Sequence, residues 1–363
     1  MFKIKKFAIV FIFVLILTNF IFVLGCVRAP APPKPRVLVQ IGIMLSIGGE
    51  EHDSFNYAAI EGLKKAMWEG IEYQFKIPNS VAEMDSILRY FVERGKELII
   101  SVGPLSADAL TVAARGFPEN KFAIIDAEVD LPNVASLVFK EHEGSFLAGA
   151  LAALMTETGT VGFVGGMEIP FIQKFQAGFE HGVEHVNEIK GTNVEVISAY
   201  AGTTGKAFRN PAKGKELALS HMNAGADIIY HVSGRTGIGV FEAAVEREKI
   251  AIGVISSQNW HAPGHVIASM LKRLDIAVYN LAKSVDDNTF AAGTIYFGEA
   301  EDGIGITGFN EALDFEKAGI ESDAAKMAML LDFKESIPNE IIEIIKSLEK
   351  KIIDDIITVR DVL

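Results

Sequence analysis

From Val37 onward, apolar runs of strand length alternate with amphipathic segments of helix length, and this rhythm constrains the chain more than any other feature. "VLVQIGIML" leads to a helical pattern over residues 54–70. "YQFKI", "ELIISVG", "KFAIID" and "NVASLVF" then recur between helices, among them "SVAEMDSILRYFVERG" and one beginning at Ser106. After the Ala/Gly-rich "EGSFLAGALAALMT", a second set runs through "TVGFVGGM", "VEVISAYAG", "ADIIYHVSG" and "IAIGVISS", again with intervening helices. Near-continuous Val/Ile/Leu strands must be covered on both faces, which parallel sheets with helical crossovers achieve. There is no close sequence repeat, only the same architecture twice, so two α/β lobes fit 363 residues better than one oversized sheet.

A later segment, "HVIASMLKRLDIAVYNLAKSV", reads as a strand and helix crossing back into the first lobe. This gives a first lobe of 37–139 plus 263–292 and a second of 140–262 plus 293–363. The tail from Asn339, "EIIEIIKSLEKKII", reads as an amphipathic helix packed on a lobe.

The N-terminus stands apart. Three lysines within residues 1–6 precede "FAIVFIFVLILTNFIFVLG", a basic region followed by a hydrophobic export segment. Residues 1–25 are expected to be a signal peptide, because "VLGC" sets the chain's one cysteine, Cys26, in the context of a bacterial-type lipobox. An uncleaved membrane anchor is the alternative, since the segment is long enough to span. Either way the body lies outside the cytoplasmic membrane. Cys26, the proline-rich "VRAPAPPKP" and Arg36 make up residues 26–36, a lipidated tether. The net charge of −13, with no extended basic run, excludes a nucleic-acid partner.

In open α/β sheets, ligands sit beyond the carboxyl ends of the strands. There, "SIGGEEHDSFN" turns on a glycine pair, and Ser54 can cap the following helix. Phe55 and Asn56 then lie at the crevice rim, offering an aromatic face and an amide, unless Phe55 staples the helix start to its own lobe. Ser101, Gly166 and Gly234 follow other strands and allow a ligand to approach the backbone closely. No nucleotide-phosphate fingerprint, zinc-ligand spacing or nucleophile motif is present, so neither cofactor nor metal is expected and the chain does not read as an enzyme. His142 is expected at a solvated hinge or helix start, and Asp126, Glu128 and Asp130 on a solvated loop after a strand.

With these residues placed, the sequence resembles the basic membrane protein family, lipoprotein substrate-binding components of ABC importers that include purine-nucleoside receptors. The resemblance spans about 37–359 and rests on an ordered series. It includes "DSFNYAAIEGLKKA", "NVASLVFKEHEGSFLAGALAAL", "VGFVGGMEIPFIQKFQAGFEHG", "GADIIYHVSGRTGIGVFEAA" and "QNWHAPGHVIASMLKRLDIAVYN". It implies a type I periplasmic-binding-protein fold: two Rossmann-like lobes, a hinge of three crossover strands and an inter-lobe cleft. Phe55 and Asn56 match the family's "DKSFNQ" segment; Phe208 is the candidate facing aromatic; Lys272 matches a ribose-hydroxyl contact.

Departures from the family pattern bear on the ligand. His52 replaces an acidic residue, with Asp53 one place along. The family's "GVDSDQ" reads "GVISSQ", so Ile255 and Ser257 replace two aspartates, and the "GGTG" turn carries Arg235. Losing a charged acceptor costs roughly 1.5–3 kcal/mol. The expected function is therefore binding of a nucleoside-like solute for an ABC permease, from a body held to the membrane by a lipid anchor. A ligand sensor or adhesin on the same fold, and more remotely a nucleoside-processing enzyme, are the alternatives.

Overall fold

Six strands form the first sheet of the computed structural model: β1 (Gln40–Met44), β2 (Glu72–Lys76), β3 (Leu98–Val102), β4 (Lys121–Ile125), β5 (Val134–Phe139) and β11 (Gly293–Phe297). The second sheet holds β6 (Thr160–Met167), β7 (Glu195–Gly202), β8 (Ile228–Val232), β9 (Ile250–Ile255), β10 (Val266–Lys272) and β12 (Ile304–Ile306). Their orders, β11-β5-β4-β3-β1-β2 and β12-β10-β9-β8-β6-β7, correspond strand for strand. Every pairing is parallel except β10–β12, which is antiparallel. The structure describes residues 38–47, 55–307 and 324–362; Cys26, the signal segment, the tether, His52, Asp53 and the Gly48–Gly49 turn lie outside them. Contacts divide the chain into two units, Met1–Leu38 and Val39–Leu363, and both sheets belong to the second.

The continuous apolar strands are covered on both faces. In β3, Leu98, Ile100 and Val102 enter one core, while Ile99 enters another with Met44, Leu88, Phe91 and Phe122. In β9, Ile252 and Val254 enter the first of these cores, and Ala251 faces a third with Val164 and Ile229. Burial on the order of 25 cal/mol per Å² of apolar surface is what holds such layers together.

Helices α1 (Phe55–Met67), α2 (Met84–Glu93) and α3 (Ala107–Gly116) connect the first strands. α4 (Glu141–Met155) leads to the second sheet, followed by α5 (Pro170–Lys190), α6 (Pro211–Asn223), α7 (Thr236–Arg247) and α8 (Leu274–Asp286). α9 (Ala324–Glu335) and α10 (Asn339–Ile353) close the chain, and α10 buries Ile345, Leu348 and Ile352. α4 is buried along nearly its whole length, which explains its Ala/Gly composition. A Cβ on Gly149 would stand 2.0 Å from the Phe179 carbonyl oxygen, and one on Gly178 would stand 2.2 Å from that of His142. Glycine here lets two backbones approach more closely than any side chain permits.

Two strands lie in the opposite sheet from the one expected. β10, assigned to the first lobe from sequence, pairs with β9 in the second sheet, and β11 pairs with β5 in the first. α8 does return to the first lobe, where it approaches α1 so closely that a Cβ on Gly62 would overlap the Asp275 carbonyl. Among the described residues the chain therefore crosses between sheets three times: after β5, after β10, and between β11 and β12. The crossings touch one another, Lys140 N donating to Phe297 O at 2.9 Å and Arg273 N to Gly303 O at 2.8 Å.

Candidate functional site

In each sheet the chain reverses direction of winding between two neighbouring strands, β1 and β3 in the first and β6 and β8 in the second. Crevices open beyond the carboxyl ends of strands at such points. At the β1/β3 point, Asn56 is buried and holds Ser46. Its Oδ1 accepts from Ser46 N and Oγ, both at 2.9 Å, and its Nδ2 donates to Ser46 O at 2.9 Å. The amide thus ties the start of α1 to Ser46, just beyond β1, instead of facing outward. Ser101 is likewise turned inward, donating to Ser106 Oγ at 2.5 Å. Phe55 is half-buried beside Gly103, where a Cβ would meet its Cε1 at 3.7 Å, and its ring centroid lies 5.1 Å from the Lys272 ammonium.

Lys272, at the end of β10, ties the two sheets together. Its Nζ lies 2.6 Å from both Asp126 oxygens and 2.7 Å from Glu141 Oε1, and the three side chains are at most 1% exposed. The rings of Phe139 and Phe171 stand 4.7 and 4.9 Å from the same ammonium. An ammonium has three N–H donors. Here three carboxylate oxygens meet them, so the structure gives Lys272 to the inter-sheet tie.

Glu141 also faces Lys174 at 3.3 Å, and Lys174 donates to Phe139 O at 3.1 Å. Two buried cations and two buried carboxylates thus offset one another at the crossings. Burial pushes the Asp126 carboxyl up to about 6, against the pull of Lys272 and with a further upward push from Glu141. Asp126 therefore does not sit on the solvated loop expected for it, although Glu128 and Asp130 are exposed. His142 does begin a helix, α4, but it is buried, and burial lowers its affinity for a proton.

At the β6/β8 point the Phe208 ring lies on glycine. A Cβ on Gly166 would stand 2.2 Å from its Cε1, and one on Gly234 would stand 3.5 Å from its Cβ. Thr236 Oγ1 fixes the turn carrying Phe208, donating to Ala207 O at 2.6 Å and accepting from Asn210 N at 2.8 Å. Arg235 is exposed at the start of α7. Ile255, ending β9, has φ of 73°, a region that a β-branched residue occupies only under strain of order 1–3 kcal/mol. The loop behind it is firmly held. Gln258 Oε1 accepts from Val254 N at 2.8 Å and pairs with His231 Nε2 at 3.0 Å, while Gln258 N donates to Ser269 Oγ at 3.0 Å. Ser257, half-buried, accepts through its carbonyl from Trp260 Nε1 at 3.1 Å.

The structure thus brings Phe55 to Lys272, and Phe208 to Gly166 and Gly234. Among the described residues no ring contact joins Phe55 to Phe208. Sequence reasoning puts Asp126 on a solvated loop and misses the roles of Glu141, Lys174 and Phe171. The signal present was a charge ending or directly following a buried strand, in "KFAIID" and "VFKEHE".

Comparison with known proteins follows this geometry. Residues 41–359 match a family model described as ABC transporter substrate-binding protein PnrA-like. An uncharacterized lipoprotein of Pyrococcus abyssi is 30% identical over 348 residues, covering 91% of this chain and 82% of the relative. The "ABC transporter nucleoside-binding protein BmpA" of Lactococcus lactis is 27% identical over 331 residues, covering 85% and 91%. The crystal structure of an ABC transporter solute-binding protein from Aeropyrum pernix superposes with a TM-score of 0.79 at 32% identity, covering 88% of this chain and 92% of that one.

Proposed function

Because the chain belongs to the PnrA-like family of ABC transporter substrate-binding proteins, we propose that it is a membrane-tethered receptor for a purine nucleoside or a close relative, which it hands to a permease. The observation that carries this reading is an aromatic ring at the switch point of each sheet. Phe55 stands beside Gly103, and Phe208 lies over Gly166 and Gly234. Two such rings suit a planar heterocycle, since stacking adds about 0.5–1.5 kcal/mol to the burial of aromatic surface. The nucleoside-binding relative and the lipoprotein relative support the ligand class and the anchor at Cys26 respectively.

Binding here requires no bond to be made or broken. The lobes close on the solute, and polar groups at the strand ends fix its edges. Ile255 sets the point at which this chain departs from nucleoside-binding relatives, because an alkyl side chain accepts no hydrogen bond from a ribose hydroxyl.

Titration calorimetry against inosine, guanosine, adenosine and their free bases is the test. We expect heat and saturation with at least one nucleoside; binding of an unrelated solute with no nucleoside response would overturn the reading. Ile255→Asp restores a carboxylate where aspartate tolerates the backbone better, and it is expected to tighten nucleoside binding roughly tenfold or more. An unchanged affinity would remove Ile255 from the ligand's surroundings.

A further inference from the structure

Trp68 is 87% exposed and Met67 beside it is 48% exposed, at the end of α1. This is not a loosely held corner. Glu69 N donates to Ala66 O, Gly70 N to Met67 O and Ile71 N to Ala66 O, and Gly70 takes a φ of 89°. Glu69 is fastened to α8 through the Tyr279 hydroxyl at 2.5 Å and Lys283 at 3.3 Å. A built turn therefore displays the largest side chain type to solvent. Scattered surface leucines need no explanation, but a tryptophan held almost wholly outside does.

Its place in the fold says what it meets. α1 starts at the ligand-side end of the first sheet, with Phe55, and runs back to the opposite end, where Met67 and Trp68 stand. Immediately after this turn, Glu72 N donates to Val39 O at 2.9 Å, so the chain enters β1 at the same edge. Upstream of that entry lie the apolar residues 7–25 and Cys26. The twelve peptide steps from Cys26 to Leu38 reach on the order of 40 Å when extended. A tether of that reach lets this edge touch a bilayer. The charges nearby are mixed: Lys64 and Lys65 are exposed before Trp68, while Glu69 is paired with Lys283. Such a surface suits a headgroup layer, where tryptophan settles with its ring in the apolar boundary and its N–H in the wet region.

We propose that Trp68 and Met67 dock this end of the first lobe onto the outer surface of the membrane, directing the strand-end crevice away from it. The proposal rests on the membrane-tethered reading above. The test exploits the chain's two tryptophans, Trp68 and Trp260. The full-length protein is reconstituted through its own N-terminus into phosphatidylcholine vesicles whose acyl chains are brominated near the headgroup. Fluorescence is read from Trp260→Phe, which reports Trp68, and from Trp68→Phe, which reports Trp260. We expect strong quenching and a blue shift for Trp68 and little change for Trp260. If Trp260→Phe fails to fold, Trp260→Tyr serves in its place. Protein that floats with the vesicles while Trp68 stays unquenched overturns the docking and leaves the anchor standing. Equal quenching of both tryptophans overturns the orientation. Failure to float overturns the anchor, and the docking with it.

Discussion

Replacing Lys272 by methionine is expected to cost the protein about 3–5 kcal/mol, much of the margin by which a domain is ordinarily stable. Methionine keeps the apolar stem among Phe55, Phe139 and Phe171 but removes the charge that faces Asp126 and Glu141. Among the described residues, Lys174, 3.3 Å from Glu141, is then the one ion-pair cation left to two carboxylates at most 1% exposed. The loss has a pH signature. Burial already raises the Asp126 carboxyl to about 6, and without Lys272 it rises further. An acid whose native-state pKa is raised stabilises the fold below its unfolded pKa and ceases to do so as pH climbs through the native value. The deficit of Lys272→Met should therefore be largest above pH 7 and shrink on acidification, as Asp126 becomes neutral. Urea unfolding at pH 5 and pH 8 measures it. Lys272→Met combined with Asp126→Asn should recover a good part of the loss, since the orphaned charge is gone. A deficit that is the same at both pH values and in the double variant would show that Lys272 acts by packing alone.

The reverse sign is expected at the third crossing. Glu299 is 4% exposed, its Oε1 has no hydrogen-bond partner, and Glu349, Glu143 and Asp302 all repel its charge. Burial first, and these neighbours second, push its carboxyl up to about 8. Lys140, 3.4 Å from Glu143, and Lys346, 3.8 Å from Glu343 and acting on Glu349, are cations bordering this cluster. The native state thus disfavours ionised Glu299, and the penalty accumulates from the ordinary carboxylate range up to about pH 8. Glu299→Gln keeps the shape and removes the penalty. We expect it to stabilise the protein by on the order of 3 kcal/mol at pH 8, and not at all at pH 4. Thermal unfolding across that interval decides the matter; equal melting temperatures at pH 8 would mean that the carboxyl finds a partner or water.

Much of this is legible in the residues alone. β3 and β9 are continuous apolar strands because both their faces are covered, and that local property is written in the residues themselves. The glycine turns at Gly166 and Gly234 were visible for a similar reason: a close approach to the backbone requires glycine locally. What could not be read were choices made at long range. The pattern of β10 says strand but not which sheet edge it joins, so it and β11 were exchanged. Asp126 and Lys272 lie far apart in sequence, and a lone aspartate after "KFAII" looks like the start of a solvated loop until its lysine arrives. Asn56 looked outward because its type suits a ligand, but its amide geometry suits Ser46 equally well.

The bonds between neighbouring crossings, Lys140 to Phe297 and Arg273 to Gly303, carry a mechanical consequence. A bend along the seam these bonds draw leaves both intact, whereas sliding one strip past another lengthens them at about 1 kcal/mol apiece. Both bonds thus favour a shared bend of the three strips, as the boards of a book share a spine. Whatever stiffens one strip stiffens all three.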